Sequence, residues 1–203
     1  MARERRRTSR RDRAKDTVET ISKIGKVNQP KVNISPYEMV SEEGIEKIHQ
    51  ASLEILSDVG IDFYDEEAIE ILKSHGVKMG GDTGETAFFD REMVMEYVSK
   101  APSEFTQIAR DPDNSLKIGG KNVVFAPVYG PPFVYDIHKG RREATLEDFQ
   151  NFVKLAYMSP YVHHSGGTVC EPNDEPTHTR HLDMVYSHIK YSTKAFMGSV
   201  TTE

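Results

Sequence analysis

Between residues 122 and 201, short apolar runs alternate with capped amphipathic helices, and this order restricts the fold more than any other feature of the chain. Asn122-Val-Val-Phe-Ala-Pro127 reads as a short buried strand. Thr145-Leu-Glu-Asp148 is a capping box, in which a hydroxyl and a carboxylate satisfy the backbone N–H groups that open a helix. That helix carries Leu146, Phe149, Phe152, Val153 and Ala156 toward a core and stops before Ser159-Pro160. Residues 161–167 read as the next strand. Residues 177–191 read as a helix with Leu182, Val185, Tyr186 and Ile189 on one stripe, and residues 194–201 as a further strand. Strand, helix, strand, helix, strand at this spacing predicts parallel βαβ units. The fold class is therefore α/β, as an α/β barrel or a doubly wound sheet. No Gly-x-Gly-x-x-Gly follows any strand, which argues against a dinucleotide fold. Three parallel strands cannot cover their own edges, so the C-terminal edge calls for further chain or an obligatory partner.

Upstream the pattern changes. Residues 1–35 read as a basic, disordered extension, ending in Gln29-Pro30 and Ser35-Pro36. A helix is expected from Ser41, with Ile45, Ile48, Ser52, Ile55, Leu56 and Val59 at helical spacing and Gly60 past its end. A second runs over 65–75, stopped by Gly76, and a third over 91–100, stopped before Pro102. Gly80-Gly81-Asp82 and Gly84 predict a hairpin between them. Residues 105–109 and 116–118 alternate like half-exposed strands about an Asp111-Pro112-Asp113-Asn114 turn. The expected organisation is an extension (1–35), a helical and hairpin region (36–120) and the start of a barrel (121–203).

Charge bears on partners. Residues 1–16 carry eight arginines and lysines against Glu4, Asp12 and Asp16, a local +5 that leaves −11 for the rest of a chain whose net charge is −6. A basic arm on an acidic body does not make a dedicated nucleic-acid binder, whose folded surface would also be basic. No apolar run approaches the roughly 18 residues of a membrane span, and no h-region follows the arginines. Cys170 is the sole cysteine, so no internal disulfide can form and a reducing cytoplasm is the expected location. Neither nucleic acid nor membrane is an expected partner.

In α/β barrels the chemistry gathers at the C-terminal ends of the strands. Pro127-Val-Tyr-Gly-Pro-Pro-Phe133 is a rigid, turned loop presenting Tyr129 and Phe133, whose ring faces attract cations or else pack as core. His163-His-Ser-Gly-Gly-Thr-Val-Cys-Glu171 sets adjacent histidines on what reads as one strand, where at most one faces inward. Gly166 and Gly167 permit close approach by a ligand or another backbone. Cys170, His178 and His181 raise the question of zinc, but His178-x-x-His181 lacks a second cysteine and a fixed third ligand, so no metal site is assigned. Met197-Gly-Ser-Val-Thr-Thr-Glu203 would place hydroxyls and Glu203 at the mouth of the site. No nucleophile elbow surrounds Ser199.

Several segments together resemble one family. Ile48-His-Gln-Ala-Ser-Leu-Glu-Ile-Leu-Ser-Asp-Val-Gly60, Phe125-Ala-Pro-Val-Tyr-Gly-Pro-Pro-Phe-Val-Tyr-Asp136, Ala144-Thr-Leu-Glu-Asp-Phe149, Thr179-Arg-His-Leu-Asp183 and Ser192-Thr-Lys-Ala-Phe-Met-Gly-Ser199 are similar to the trimethylamine methyltransferase family, in register over about residues 36–203. The resemblance implies an N-terminal helical region followed by a TIM-type (β/α)8 barrel, incomplete at residue 203 and inactive as an isolated piece. It implies methyl transfer from trimethylamine or a quaternary amine such as glycine betaine to the cobalt of a cognate corrinoid protein. The corrinoid (cobalamin) rides on that partner, no cofactor is bound directly, and a homo-oligomer is expected. On this reading Tyr129, Phe133 and Tyr135 offer aromatic faces to the amine. His163, His164 or Arg180 would donate to a substrate carboxylate. A zinc-dependent methyltransferase using Cys170, His178 and His181, and a non-catalytic partner-binding fragment, are the alternatives.

Overall fold

The computed structural model describes residues 27–35, 37–198 and 200. They divide into two compact units: Ile34 to Ser103, and the residues up to Asn33 together with those from Glu104 onward. The arginine-rich residues 1–16 and the expected site residues Ser199, Thr201, Thr202 and Glu203 lie outside the described residues.

In the 34–103 unit, each helix starts where the sequence supplies a side-chain oxygen. Ser41 accepts from the N–H of Gly44 at 3.2 Å to open α1 (Glu42–Glu54). Asp65 accepts from Ala68 to open α2 (Glu66–Ser74), and Asp90 from Glu92 and Met93 to open α3 (Arg91–Lys100). Helix α1 widens into a π turn over Ile55–Val59 and ends at Gly60, whose φ of 78° favours glycine. A Cβ at Gly60 would also lie 2.7 Å from the carbonyl oxygen of Ala87, so the approach of the helix end to the sheet requires the missing side chain. That sheet is antiparallel, with β3 (Thr86–Phe88) between β1 (Ile61–Asp62) and β2 (Lys78–Gly80), and the expected glycine hairpin joins its last two strands. The apolar stripe of α1 differs from expectation: Ile45, Ile48, Ile55 and Val59 are exposed, and Leu53 is the buried residue. The small sheet meets the helix chiefly at its π-wound end, where the Phe89 N–H bonds to the Leu56 carbonyl at 2.9 Å.

In the other unit, β4 (Glu104–Gln107) and β5 (Leu116–Gly119) form the expected hairpin. The Gln29 amide brackets Lys117, donating to its carbonyl and accepting from its N–H, both at 2.9 Å. Val32 donates to Lys121 and Val123 to Pro30, so the described end of the extension is paired to the chain. A further hairpin joins β6 (Phe133–Asp136) to β7 (Gly140–Glu143), a strand whose polar sequence gave no warning. Two helices follow, α4 (Leu146–Met158) and α5 (Arg180–Tyr191), packed on each other. Their core comprises Val134, Ala144, Phe149, Val153, Val169, Cys170 and Met184.

Two expectations about burial are corrected. On α4, Phe152 is exposed and Leu146 only partly covered, while Phe149, Val153 and Ala156 are buried. On α5, Leu182, Tyr186 and Ile189 of the expected stripe are exposed and Val185 is only partly covered, and the buried residues are Met184, Ser187 and His188. These last three sit at helical spacing, but two are polar, which hides the inward face from a hydropathy reading.

The described sheets are all antiparallel, so the described fold is α/β in composition without parallel strands. Segments 122–127, 161–167 and 194–198 nevertheless run side by side. The N–H groups of His163 and His164 both donate to the Phe125 carbonyl, Ser165 donates to Ala195 and Met197 to Gly166. In a regular parallel ladder the residue that donates to Ala195 would also accept from Met197, but here Ser165 donates and Gly166, one residue on, accepts. Residue numbers rise together, in the parallel sense, but the converging donors and this slip prevent a regular ladder.

One buried charge links these segments. Lys194, 8% exposed, donates from Nζ to the carbonyls of Ala156 at 2.7 Å, Ser159 at 2.8 Å and Val162 at 2.6 Å. At the other end of α4, Thr145 and Asp148 form the capping box, and the Arg142 guanidinium grips Asp148 at 2.5 and 2.7 Å. Arg142 foremost, with the Thr145 bonds, holds the Asp148 carboxyl down at about 2.

Two expected outcomes follow from these contacts. Lys194→Met keeps the stem but removes the ammonium, and should lower unfolding stability by about 2–4 kcal/mol, measured by urea denaturation. Asp148→Asn should cost about 1–3 kcal/mol at neutral pH. Asp148 binds fewer protons folded than unfolded, so its contribution is whole above 3.8 and is lost as pH falls through about 2. The stability gap between wild type and D148N should therefore narrow across that window.

Candidate functional site

The loop 127–133 lies against the chain just beyond the double glycine. Gly130 donates to the Thr168 carbonyl at 2.7 Å, and Glu171 to the Pro131 carbonyl at 3.0 Å. This sets Tyr129, 46% exposed, over Gly167, where a Cβ would fall 2.0 Å from the Tyr129 hydroxyl oxygen. Gly167 thus provides the surface on which the phenol rests. Burial at this contact pushes the Tyr129 phenol above its usual pKa.

Phe133 and Tyr135 share the outward face of β6, because strand side chains alternate and Val134 takes the inward one. Both line an apolar cleft of about 520 Å³ with Phe152 and Leu155 of α4. The Arg141 guanidinium lies over one face of the Phe133 ring, 3.7 Å from its centroid. Tyr135 is the most open of the three aromatics.

His163 and His164 are both buried, at 2% and 3% exposure, against the expectation that only one turns inward. A flat strand would separate them, but this segment is not one. The His163 ring stacks on Phe125 and its Nδ1 accepts that residue's N–H at 3.1 Å. The His164 Nδ1 accepts the Gly166 N–H at 2.9 Å. With Nδ1 an acceptor on each ring, the donor that either neutral imidazole can offer is Nε2–H. Burial, with some repulsion from His188, holds His164 down at about 4, so it is neutral at physiological pH.

Hydropathy gave no sign of His188. This α5 residue, 1% exposed, reaches the Ser165 hydroxyl with Nδ1 at 3.0 Å and the Gly167 carbonyl with Nε2 at 2.9 Å. The legible signal was the i, i+3, i+4 spacing of Met184, Ser187 and His188, which places the imidazole on the inward face.

Other sequence candidates are engaged elsewhere. Arg180 donates to the Glu175 carbonyl and the Thr177 hydroxyl and lies 3.9 Å from the Glu171 carboxylate. Cys170 packs in the apolar core, where burial pushes its thiol up to about 12. Among the described residues no group of three His, Cys, Asp or Glu side chains could hold a metal ion, and no helix is long and apolar enough to cross a membrane.

A family model described as trimethylamine methyltransferase (MTTB) matches residues 3–203. A glycine betaine methyltransferase from Desulfitobacterium hafniense (strain Y51) is 45% identical over 163 residues, covering 80% of this chain and 33% of that protein. The chain therefore spans about a third of the length of the curated relative it matches.

The Tyr129 contact has a direct test. Gly167→Ala should displace the Tyr129 ring in a crystal structure, whereas Gly198→Ala, where a Cβ meets nothing within 4 Å, should leave it in place.

Proposed function

This chain belongs to the trimethylamine methyltransferase family, and we propose that the whole protein moves a methyl group from a methylated amine to the cobalt of a corrinoid carried by a partner protein. The observation that carries the reading is the family match, which runs through both the aromatic loop and the double glycine. Among methylated amines we favour a quaternary, carboxylated one of the glycine betaine kind, because the relative at 45% identity carries that name. The methyl carbon leaves nitrogen with the C–N pair staying on the amine, and reduced cobalt supplies the two electrons of the new bond. No side-chain nucleophile is demanded of this chain.

A quaternary ammonium has no hydrogen to donate and binds through aromatic faces. We assign that part to Tyr129 and Phe133, with Tyr135 beside Phe133 and the Nε2–H groups of His163 and His164 as donors for a carboxylate. We further propose that residues 121–203 begin a TIM-type barrel. The side-by-side course of segments 122–127, 161–167 and 194–198, with α4 and α5 as the connections, supports it.

The test uses the full-length protein with reduced corrinoid partner and either glycine betaine or trimethylamine, followed by the visible spectrum of the methylated corrinoid. Methylation with glycine betaine is expected, methylation with trimethylamine alone would overturn the preference for a quaternary amine, and silence with both would overturn the reading. Tyr129→Ala or Phe133→Ala should weaken amine binding roughly 2- to 30-fold, the range that loss of one cation–π face gives.

A further inference from the structure

We propose that His188 is a positioning residue for the amine site, holding Gly167 where Tyr129 must rest. The inference deepens the assignment of Tyr129 to that site and rests on it.

A carbonyl only accepts, so the 2.9 Å contact from Nε2 to the Gly167 oxygen puts the ring hydrogen on Nε2. Nδ1 is then an acceptor, and the Ser165 hydroxyl donates to it at 3.0 Å. Burial, which lowers the pKa of His188, keeps this neutral tautomer. The two bonds fall on either side of Gly166, whose φ of 95° makes the bend between them. One imidazole thus clamps both ends of a glycine bend.

The ring itself has little room to turn. Phe196 stacks on it at 5.1 Å and 8°, and Phe149 meets it edge-on at 5.4 Å and 79°. Space-filling alone would be served as well by leucine at this buried position. Histidine differs by spanning Ser165 and Gly167 with one donor and one acceptor. Because the Tyr129 hydroxyl lies directly over Gly167, displacement of that residue moves the seat of the ring.

The experiment is a double-mutant cycle in the full-length protein, with glycine betaine and trimethylamine binding measured by calorimetry. His188→Leu should weaken binding at least about threefold when Tyr129 is present and have little further effect in a Tyr129→Ala background. His188→Gln, which retains an amide donor for the Gly167 carbonyl, should restore part of the loss. Equal losses in both backgrounds would mean that His188 acts through general stability, and would overturn the proposal. If Tyr129→Ala binds both amines like wild type, the amine-site assignment fails by itself. The crystal structure of H188L then decides: a displaced Tyr129 ring supports the positioning role, and an unmoved one overturns it. If H188L does not fold, Ser165→Ala replaces it in the same cycle and in the same structural comparison.

Discussion

The ammonium of Lys194 holds together the part of the molecule that carries the candidate site. A buried charge is tolerated only when its hydrogen-bonding capacity is used, and here backbone carbonyls use it. Two of those carbonyls belong to the C-terminal end of α4, where the last turn lacks intrahelical partners and the helix dipole is negative. The third, from Val162, belongs to the segment that continues to His163 and His164. One side chain therefore ends a helix, fixes the start of the next segment and anchors its own. The placement of Ser165 beside Ala195, and so of the glycine bend, depends on this link.

At the other end of α4, Asp148 caps the helix while pairing with Arg142 of the β6–β7 hairpin. The hairpin that presents Phe133 and Tyr135 is thereby tied to the helix start, and the Ala144 N–H bonds to Pro132 at 3.2 Å. The aromatic loop is braced from both sides, since its other flank bonds to residues 168 and 171. This bracing restricts the orientations open to Tyr129, Phe133 and Tyr135.

The structure separates what a sequence carries locally from what depends on distant partners. Helix starts were legible at Ser41, Asp65, Arg91 and Thr145, and each has a cap that acts over three residues. The glycine-marked hairpin was legible just as locally. The inward face of α5 was not, since Ser187 and His188 are buried only because Ser165, Gly167 and two phenylalanine rings receive the face. Lys194 was hidden too: nothing in its neighbours announces three carbonyls more than thirty residues away. Segments 122–127, 161–167 and 194–201 read as parallel strands, yet their described residues run side by side without becoming strands, because a slip of one residue in pairing has no sequence signature. For the site, the aromatic and histidine residue types were readable, whereas the seat of Tyr129 on Gly167 needed the long-range fold.

The pairing of residues 29–32 with 117–123 bears on the order of events during synthesis. Gln29 leaves the ribosome 88 residues before Lys117, its partner in two hydrogen bonds. At about 5–20 residues per second the early segment waits on the order of 5–20 s for that partner. The whole of the 34–103 unit is made in the interval, with its sheet pairings already complete within it. That unit is inserted in the sequence between two unequal parts of the other, and the strand pairings of its sheet are all made within it. The late-forming unit inherits the long loop and the slower closure, and it is the one that carries the candidate site.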